Sequence, residues 1–230
     1  MPAKPPTDYR VPLLLLLSAT TGLVDAASVL GLGRVFTANM TGNVVFLGFA
    51  AAGVPGFAWL SFVAAIASFV LGAVAGGRTY RRYIGRPLRQ WLLVSACIEA
   101  ALLFIAGVVA IGLGLGKPEP TQLYPIIALT GIAMGFRNAT VRQMKVPDLT
   151  TTVLTLTVTG IAADSRAAGG NDTNWGRRIG AVLAIFAGSL IGAIMLMQFG
   201  LTAPLVFAGA LILSGTLAYI AHPSANEEVV

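Results

Sequence analysis

The sequence predicts an all-α fold, a polytopic bundle of transmembrane helices in a single transmembrane domain. Apolar residues make up 56% of the 230 residues and charged residues only 10%. The mean hydropathy of +0.82 lies above that of an ordinary soluble domain. Several windows of about twenty residues carry almost no charge, which is the length that a helix needs to cross roughly 30 Å of hydrocarbon.

Apolar windows of two lengths predict the elements in order. Six long windows are predicted to span the membrane, at residues 12–33, 56–77, 91–115, 124–141, 179–200 and 203–221. Two shorter stretches, at residues 35–53 and 149–163, are rich in Thr, Gly and Asn. They are predicted to be broken or re-entrant segments.

Matching motifs predict that the chain is two copies of one unit. The motif Gly-Leu-Val-Asp-Ala at residues 22–26 recurs as Gly-Phe-Arg-Asn-Ala at residues 135–139, and small residues follow Trp59 and Trp175 at identical spacing. A small residue at every fourth position flattens a helix face, so another helix backbone can approach it closely. The two halves are predicted at about residues 11–115 and 124–221.

The positions of Lys and Arg predict the orientation. If each short segment enters and leaves on one side, all loop lysines and arginines except Arg34 and Lys117 lie on one side. The positive-inside rule assigns that side, with both termini, to the cytoplasm. If the short segments span instead, the charges nearly balance. When the short segments re-enter, each unit crosses the membrane three times, so the second copy is inverted relative to the first. Inverted repeats are common among secondary transporters.

Polar residues within the apolar segments give a candidate binding site for a substrate or ion. Such groups are tolerated at membrane depth only when they are buried in protein or line a wet cavity. Asp25 lies about thirteen residues into the first helix, where an acid is costly and therefore a functional candidate. The site is predicted at the midplane of the membrane, and the Thr-rich stretch at residues 150–159 contributes to it. Its candidate residues are Asp25, Asn39, Thr41, Gly42, Asn43, Arg137, Asn138, Thr151, Thr152 and Thr155.

Several roles within this site have alternatives. Gly42 is expected to let the backbone turn, and neighbouring Thr and Asn side chains to cap a half-helix whose N-terminus suits an anion. The threonines either line a cavity or bond back to helix carbonyls. Arg137 either binds substrate, pairs with Asp25, or extends to the membrane edge. Glu99 is expected to pair with the arginine-rich loop at residues 78–89.

Composition excludes most catalytic chemistry. A single His, His222, and a single Cys, Cys97, rule out most triads and metal sites, and no cofactor motif is present. The basic residues behind the net charge of +6 are expected to interact with lipid headgroups. The sequence lacks the basic pattern with interleaved aromatic residues that would predict nucleic-acid binding. Enzyme activity is not expected. The remaining hypotheses are a small-solute transporter for a polar or anionic solute, a passive channel, and a non-transporting scaffold that forms homo-oligomers through small-residue faces.

The motifs resemble those of a known family. Residues 22–26, followed by residues 35–44, resemble the signature of the YoaK family of small bacterial membrane proteins, also described as domain of unknown function 1275. Residues 133–139 are similar to its second signature, and residues 151–160 to the Thr-rich stretch that follows. The resemblance implies a multi-helix inner-membrane protein of bacterial type, often described as a permease, with no known substrate. The family pattern has Gln where this chain has Arg137.

Overall fold

A computed structural model describes residues 9–113, 119–146, 149, 151, 154–172 and 174–229, and these form helices joined by turns. The all-α fold class is confirmed. Short 3₁₀ turns at Arg166–Ala168 and Pro223–Asn226 accompany the α-helices. The α-helices are α1 (Arg10–Gly31), α2 (Met40–Ala51), α3 (Trp59–Tyr83), α4 (Leu88–Ile111), α5 (Pro120–Met144), α6 (Leu154–Ala163), α7 (Trp175–Phe199) and α8 (Thr202–Ile220).

Five of the described helices, α1, α3, α4, α7 and α8, are long and apolar enough to cross a membrane. Helix α5 is 25 residues long, but it contains Arg137, Asn138 and Arg142 and is less apolar. It packs against α3, α4 and α1. Because protein surrounds much of α5, its polar side chains avoid lipid. The sixth spanning helix therefore stays a prediction.

The segment that contains the first short helix begins and ends at the same end of the bundle. With 12 residues, α2 is about 18 Å long, too short to cross the hydrocarbon. The Arg34 guanidinium, just after α1, lies 5.7 Å from the centre of the Phe57 ring, just before α3. Between these two residues the chain turns back into the bundle, as shown by the hydrogen bond from the Ala38 N–H to Asp25. Asp25 lies about 9 Å of helical rise before the end of α1.

The second short helix lies in a segment that begins and ends at the opposite end. Arg10, at the start of α1, donates a 3.3 Å hydrogen bond to the Met144 carbonyl at the end of α5. Helix α7 runs parallel to α1, since Gly180 lies beside Leu15 and Gly192 beside Leu23. The chain from α5 to α7, which includes the 10-residue α6, therefore returns to the end where α1 begins.

Two helix pairs, α3 with α5 and α1 with α7, form the most extensive interfaces among the described elements. In both pairs glycine lets the backbones approach so closely that a Cβ atom would collide with a carbonyl group. Equivalent positions of the two predicted halves make these contacts: Gly135 with Phe69, Gly72 with Ile132, Gly22 with Ile185, and Gly188 with Ala19.

Charge is distributed unequally between the two ends of the bundle. The end of α3, the α3–α4 loop, the start of α4, the end of α5, the segment that leads into α7 and the start of α7 all lie at the end where α1 begins. Together with Arg10, they carry the described lysines and arginines other than Arg34 and Arg137. Arg34 lies at the other end, and Arg137 lies between the two. We call the first of these the basic end.

Close backbone packing predicts a specific sensitivity to added side-chain volume. Replacing Gly135 by Ala is expected to lower the free energy of unfolding by about 1–3 kcal/mol, because the new methyl group would collide with the Phe69 carbonyl. Denaturant unfolding in detergent measures the change. Gly77→Ala is the control, since an added Cβ there meets no atom within 4 Å. Equal losses in both variants would contradict the interpretation.

Candidate functional site

A buried ion pair lies at the centre of the bundle. Arg137 of α5 is 1% exposed and Glu99 of α4 is 5% exposed, and their side chains form a salt bridge. Arg137 also donates to α1, with 3.1 Å to the Leu17 carbonyl oxygen and 3.0 Å to the Thr21 hydroxyl. Thus a single side chain of α5 joins α4 to α1.

This placement corrects the expectations for both residues. The expected pairing of Glu99 with the loop at residues 78–89 is wrong, because Arg137 is its partner. Arg137 does not extend to the membrane edge, since a buried guanidinium requires a buried counter-charge and takes the nearest one. Asp25 forms no ion pair with Arg137, although it lies within electrostatic reach. No pattern in the sequence identifies Glu99 as the partner of Arg137.

Asp25 binds the first short segment instead. Its Oδ1 accepts a 3.1 Å hydrogen bond from the Ala38 N–H, and the Thr37 N–H lies beside it. A carboxylate makes stronger hydrogen bonds to backbone N–H groups than a neutral acceptor does. The half-buried Asp25 therefore fixes the depth at which the chain turns toward α2.

Asn43 closes the same segment with two hydrogen bonds. Its Oδ1 accepts from the Phe36 N–H at 2.9 Å, and its Nδ2 donates to the Phe36 carbonyl oxygen at 2.6 Å. The side chain is fully buried. The expected capping by Asn is wrong for Asn39, which is the N-cap residue of α2 and makes no side-chain cap bond. Asn43 thus holds the backbone and has little capacity left for a ligand.

The expected turn at Gly42 is also wrong. Gly42 lies within α2 and packs against the ring of Phe36. The turn occurs at Gly33 and Arg34, whose φ angles are 81° and 64°. Thr41, one residue before Gly42, is exposed on α2.

Part of the second short segment lies outside the described residues, namely Asp148, Thr150 and Thr152. Thr151 is buried, has a φ of 60°, and its hydroxyl has no hydrogen-bond partner within the described part of the chain. Thr37 precedes α2 by the same number of residues as Thr151 precedes α6. It is also buried, and its hydroxyl likewise has no partner among the described residues. Thr155 is exposed.

The structure does not bring the two short helices together. In the described part of the chain, α2 packs on α3 and α6 packs on α7, with no contact between α2 and α6. The Asp25 carboxylate bonds to the first segment through the Ala38 N–H. Of the predicted site residues, Asp25 and Asn43 bind the first segment, Arg137 belongs to the central ion pair, and Asn138 lines a cavity at the basic end.

Asn138 lines a cavity of about 670 Å³ at the basic end of the bundle. Its Nδ2 donates a 2.8 Å hydrogen bond to the Met134 carbonyl oxygen. The cavity lies between α3 and α5, and the segment after α5 completes it. Its lining residues are Phe69, Ala73, Gly77, Asn138, Ala139, Val141, Arg142, Gln143, Lys145, Val146 and Leu149.

Long apolar helices around a buried ion pair, with two helices too short to span, define a helical membrane protein. The chain belongs to the family described as "Protein of unknown function (DUF1275)", which matches residues 13–218. The UPF0700 transmembrane protein YoaK of Bacillus subtilis (strain 168) is 28% identical over 156 residues, covering 68% of this chain and 67% of the relative. No solved structure matches the chain. The family resemblance of the sequence motifs is confirmed.

The buried ion pair predicts strongly non-additive mutations. Glu99→Leu alone is expected to lower the free energy of unfolding by about 3–5 kcal/mol, because Arg137 is left buried without a counter-charge. Replacing both residues by Leu removes the unpaired charge and should recover most of that loss. A double-mutant cycle of unfolding in detergent measures the coupling, and the exposed Glu228→Leu serves as control. Additive losses would show that the pair is not formed.

Proposed function

We propose that the protein is a transporter of a small polar or anionic solute and not an enzyme. The observation that carries this proposal is the 670 Å³ cavity, which reaches from the basic end to Asn138. Pockets for small molecules usually measure about 300–1,000 Å³ and carry a few well-placed polar groups. A membrane protein with such a cavity open at one end has room for a solute within its helices.

The polar lining favours an anion over a cation. Arg142 and Lys145 contribute positive charge, Asn138 and Gln143 contribute amide groups, and the described lining contains no acidic residue. A concave site with low-dielectric walls and charges of one sign concentrates ions of the opposite sign. A carboxylate or another small oxyanion matches these donors.

The architecture proposed for this transporter is an inverted repeat. Equivalent glycines of the two halves make equivalent backbone contacts in the α3–α5 and α1–α7 interfaces. The two short segments also return to opposite ends of the bundle. Transporters with inverted repeats alternate access when the halves exchange conformations around a central site.

The two halves differ in the surroundings of the polar residue that their matching motifs share. Asn138 lines the open cavity, whereas Asp25, its counterpart, is held by the Ala38 N–H. We propose that the structure represents a state open toward the basic end. In the alternate state the first segment would move away from Asp25 and open a path to the other end.

The proposed orientation places the basic end, with both termini, in the cytoplasm of a bacterial cell, with the protein in the inner membrane. Its support is the concentration of described lysines and arginines at that end, with Arg34 alone among them at the other. Cytoplasmic loops of membrane proteins carry an excess of these residues.

Transport is tested in proteoliposomes. A thermal-shift screen of small carboxylates and other anions first identifies a solute, because a bound ligand raises the unfolding temperature. Asn138→Leu and Lys145→Ala are then expected to abolish or strongly reduce saturable counterflow of that solute. Arg89→Ala, which removes a charge at the basic end outside the cavity, should leave it unchanged. Conductance without saturation would identify a channel, and absence of flux with every bound solute would favour a scaffold.

Orientation is tested by single-cysteine labelling in a Cys97→Ala background, which removes the exposed native thiol. Arg34→Cys is expected to react with a membrane-impermeant maleimide in intact cells. Arg82→Cys, in the α3–α4 loop region, should react only after the membrane is permeabilised. The reverse pattern would place the basic end outside.

A further inference from the structure

Three polar side chains follow one face of α4 from the basic end to the central ion pair. Trp91, Ser95 and Glu99 are spaced by four residues, so they lie above one another on the helix. They are 1%, 4% and 5% exposed. The Trp91 indole N–H and the Ser95 hydroxyl have no hydrogen-bond partner among the described residues. Glu99, at the inner end of the row, is paired with Arg137.

Ser95 differs from several other buried hydroxyl residues within the helices. Ser18, Thr21 and Thr130 each donate back to a carbonyl of the preceding helical turn. Ser95 makes no such bond. Buried polar groups in native proteins almost always have a partner, and where protein supplies none an ordered water does. The unpaired Ser95 hydroxyl therefore indicates water at this position.

A small void beside Ser95 has the size for that water. It measures about 20 Å³ and lies between α1, α4, α5 and α8. A void needs about 10–15 Å³ on this measure to hold one water molecule with two to four polar partners. Ser95, Glu99, Arg137, Thr140 and Thr216 all line it.

Solvent reaches the other end of the row through a second cavity. A cavity of about 200 Å³ at the basic end has Trp91 in its wall, with the charged residues Arg10, Lys145, Glu227 and Glu228. The C-terminal residues 227–229 form its rim, since they pair with the α3–α4 loop through backbone hydrogen bonds of 2.7–3.0 Å. Trp91 thus lines this cavity and lies one helical turn from Ser95, which lines the buried void.

We propose that Trp91, Ser95 and Glu99 line a water path that carries protons from the basic end to Glu99. A water molecule in the void, hydrogen-bonded to Ser95, delivers a proton to the Glu99 carboxylate and regains one from the water behind it. The products are a neutral carboxylic acid and an unchanged water. Arg137 then keeps Leu17 and Thr21 as partners but loses its counter-charge. The path exists whether or not the protein moves a solute.

The groups that face Glu99 determine how it responds to pH. Among the described residues, Arg137 of α5 is the ionisable group in contact with it, and α8 contributes Thr216. From α3, the Tyr80 ring packs 5.4 Å from Trp91. Asp25 of α1 lies within electrostatic reach of Arg137.

Acidification therefore shifts the balance of charge around Arg137. When Glu99 is ionised, Arg137 is neutralised by α4. When Glu99 is protonated, Asp25 of α1 remains as an acid within electrostatic reach of Arg137. Protonation of Glu99 thus removes the contacting counter-charge of Arg137 and leaves the weaker interaction with α1.

Water access is tested by cysteine substitution in the Cys97→Ala background. Ser95→Cys is expected to react with silver ion, a small thiol reagent that follows water-filled paths, when the ion is applied to the basic end and not to the other. Ala100→Cys is the matched control, because Ala100 is equally buried on α4 and lies outside the void. Ser95→Cys that is protected from both sides, or equal reactivity of Ala100→Cys, would overturn the proposal.

Protonation of Glu99 is tested by infrared spectroscopy of the purified protein during a pH titration. A carboxylic acid band that grows on acidification, shifts in D₂O and is missing in Glu99→Gln is expected. If Glu99→Gln does not fold, isotope labelling of glutamate assigns the band, since Glu119, Glu227 and Glu228 are exposed. Ser95→Val should slow the deuterium shift several-fold. Absence of a buried glutamic acid band throughout the titration would show that the ion pair is structural only.

Discussion

The buried charge of Arg137 is the constraint on which the centre of the structure depends. A guanidinium in a membrane-embedded core is tolerated only with a counter-charge and satisfied N–H groups. Glu99 supplies the charge from α4, and α1 supplies the Leu17 carbonyl and the Thr21 hydroxyl. Helices α1 and α4 are therefore both fixed to α5.

Backbone proximity is the second constraint. Glycines allow α1 to approach α7 and α3 to approach α5 closely, so the backbones of each pair are in direct contact. Asp25 and Asn43 satisfy the polar groups of the first short segment through Ala38 and Phe36, as the bilayer requires.

Much of the fold was accessible from sequence because length and hydropathy are local properties. The boundaries of α7 and α8 differ from the predicted windows by only a few residues, and α2 and α6 are short as predicted. The partners of polar residues were less accessible. Whether Arg137 meets Asp25 or Glu99 depends on the rotation of α4 and α5 about their axes, which hydropathy does not specify. Gly42 and Asn39 were misassigned because a turn and a cap depend on where the helix begins, and Ser95 carries no motif that separates it from ordinary core serines.

The difference between Asp25 and Asn138 has a consequence for the energy of the molecule. Two identical inverted halves would give two arrangements of equal free energy, and the protein would occupy both equally. An acid on one side and an amide on the other remove this degeneracy, because a carboxylate binds backbone N–H groups more strongly than an amide oxygen does. Under the proposed alternating-access mechanism, the resting population is thereby biased toward one arrangement, and whatever neutralises that acid would bring the two arrangements closer to balance.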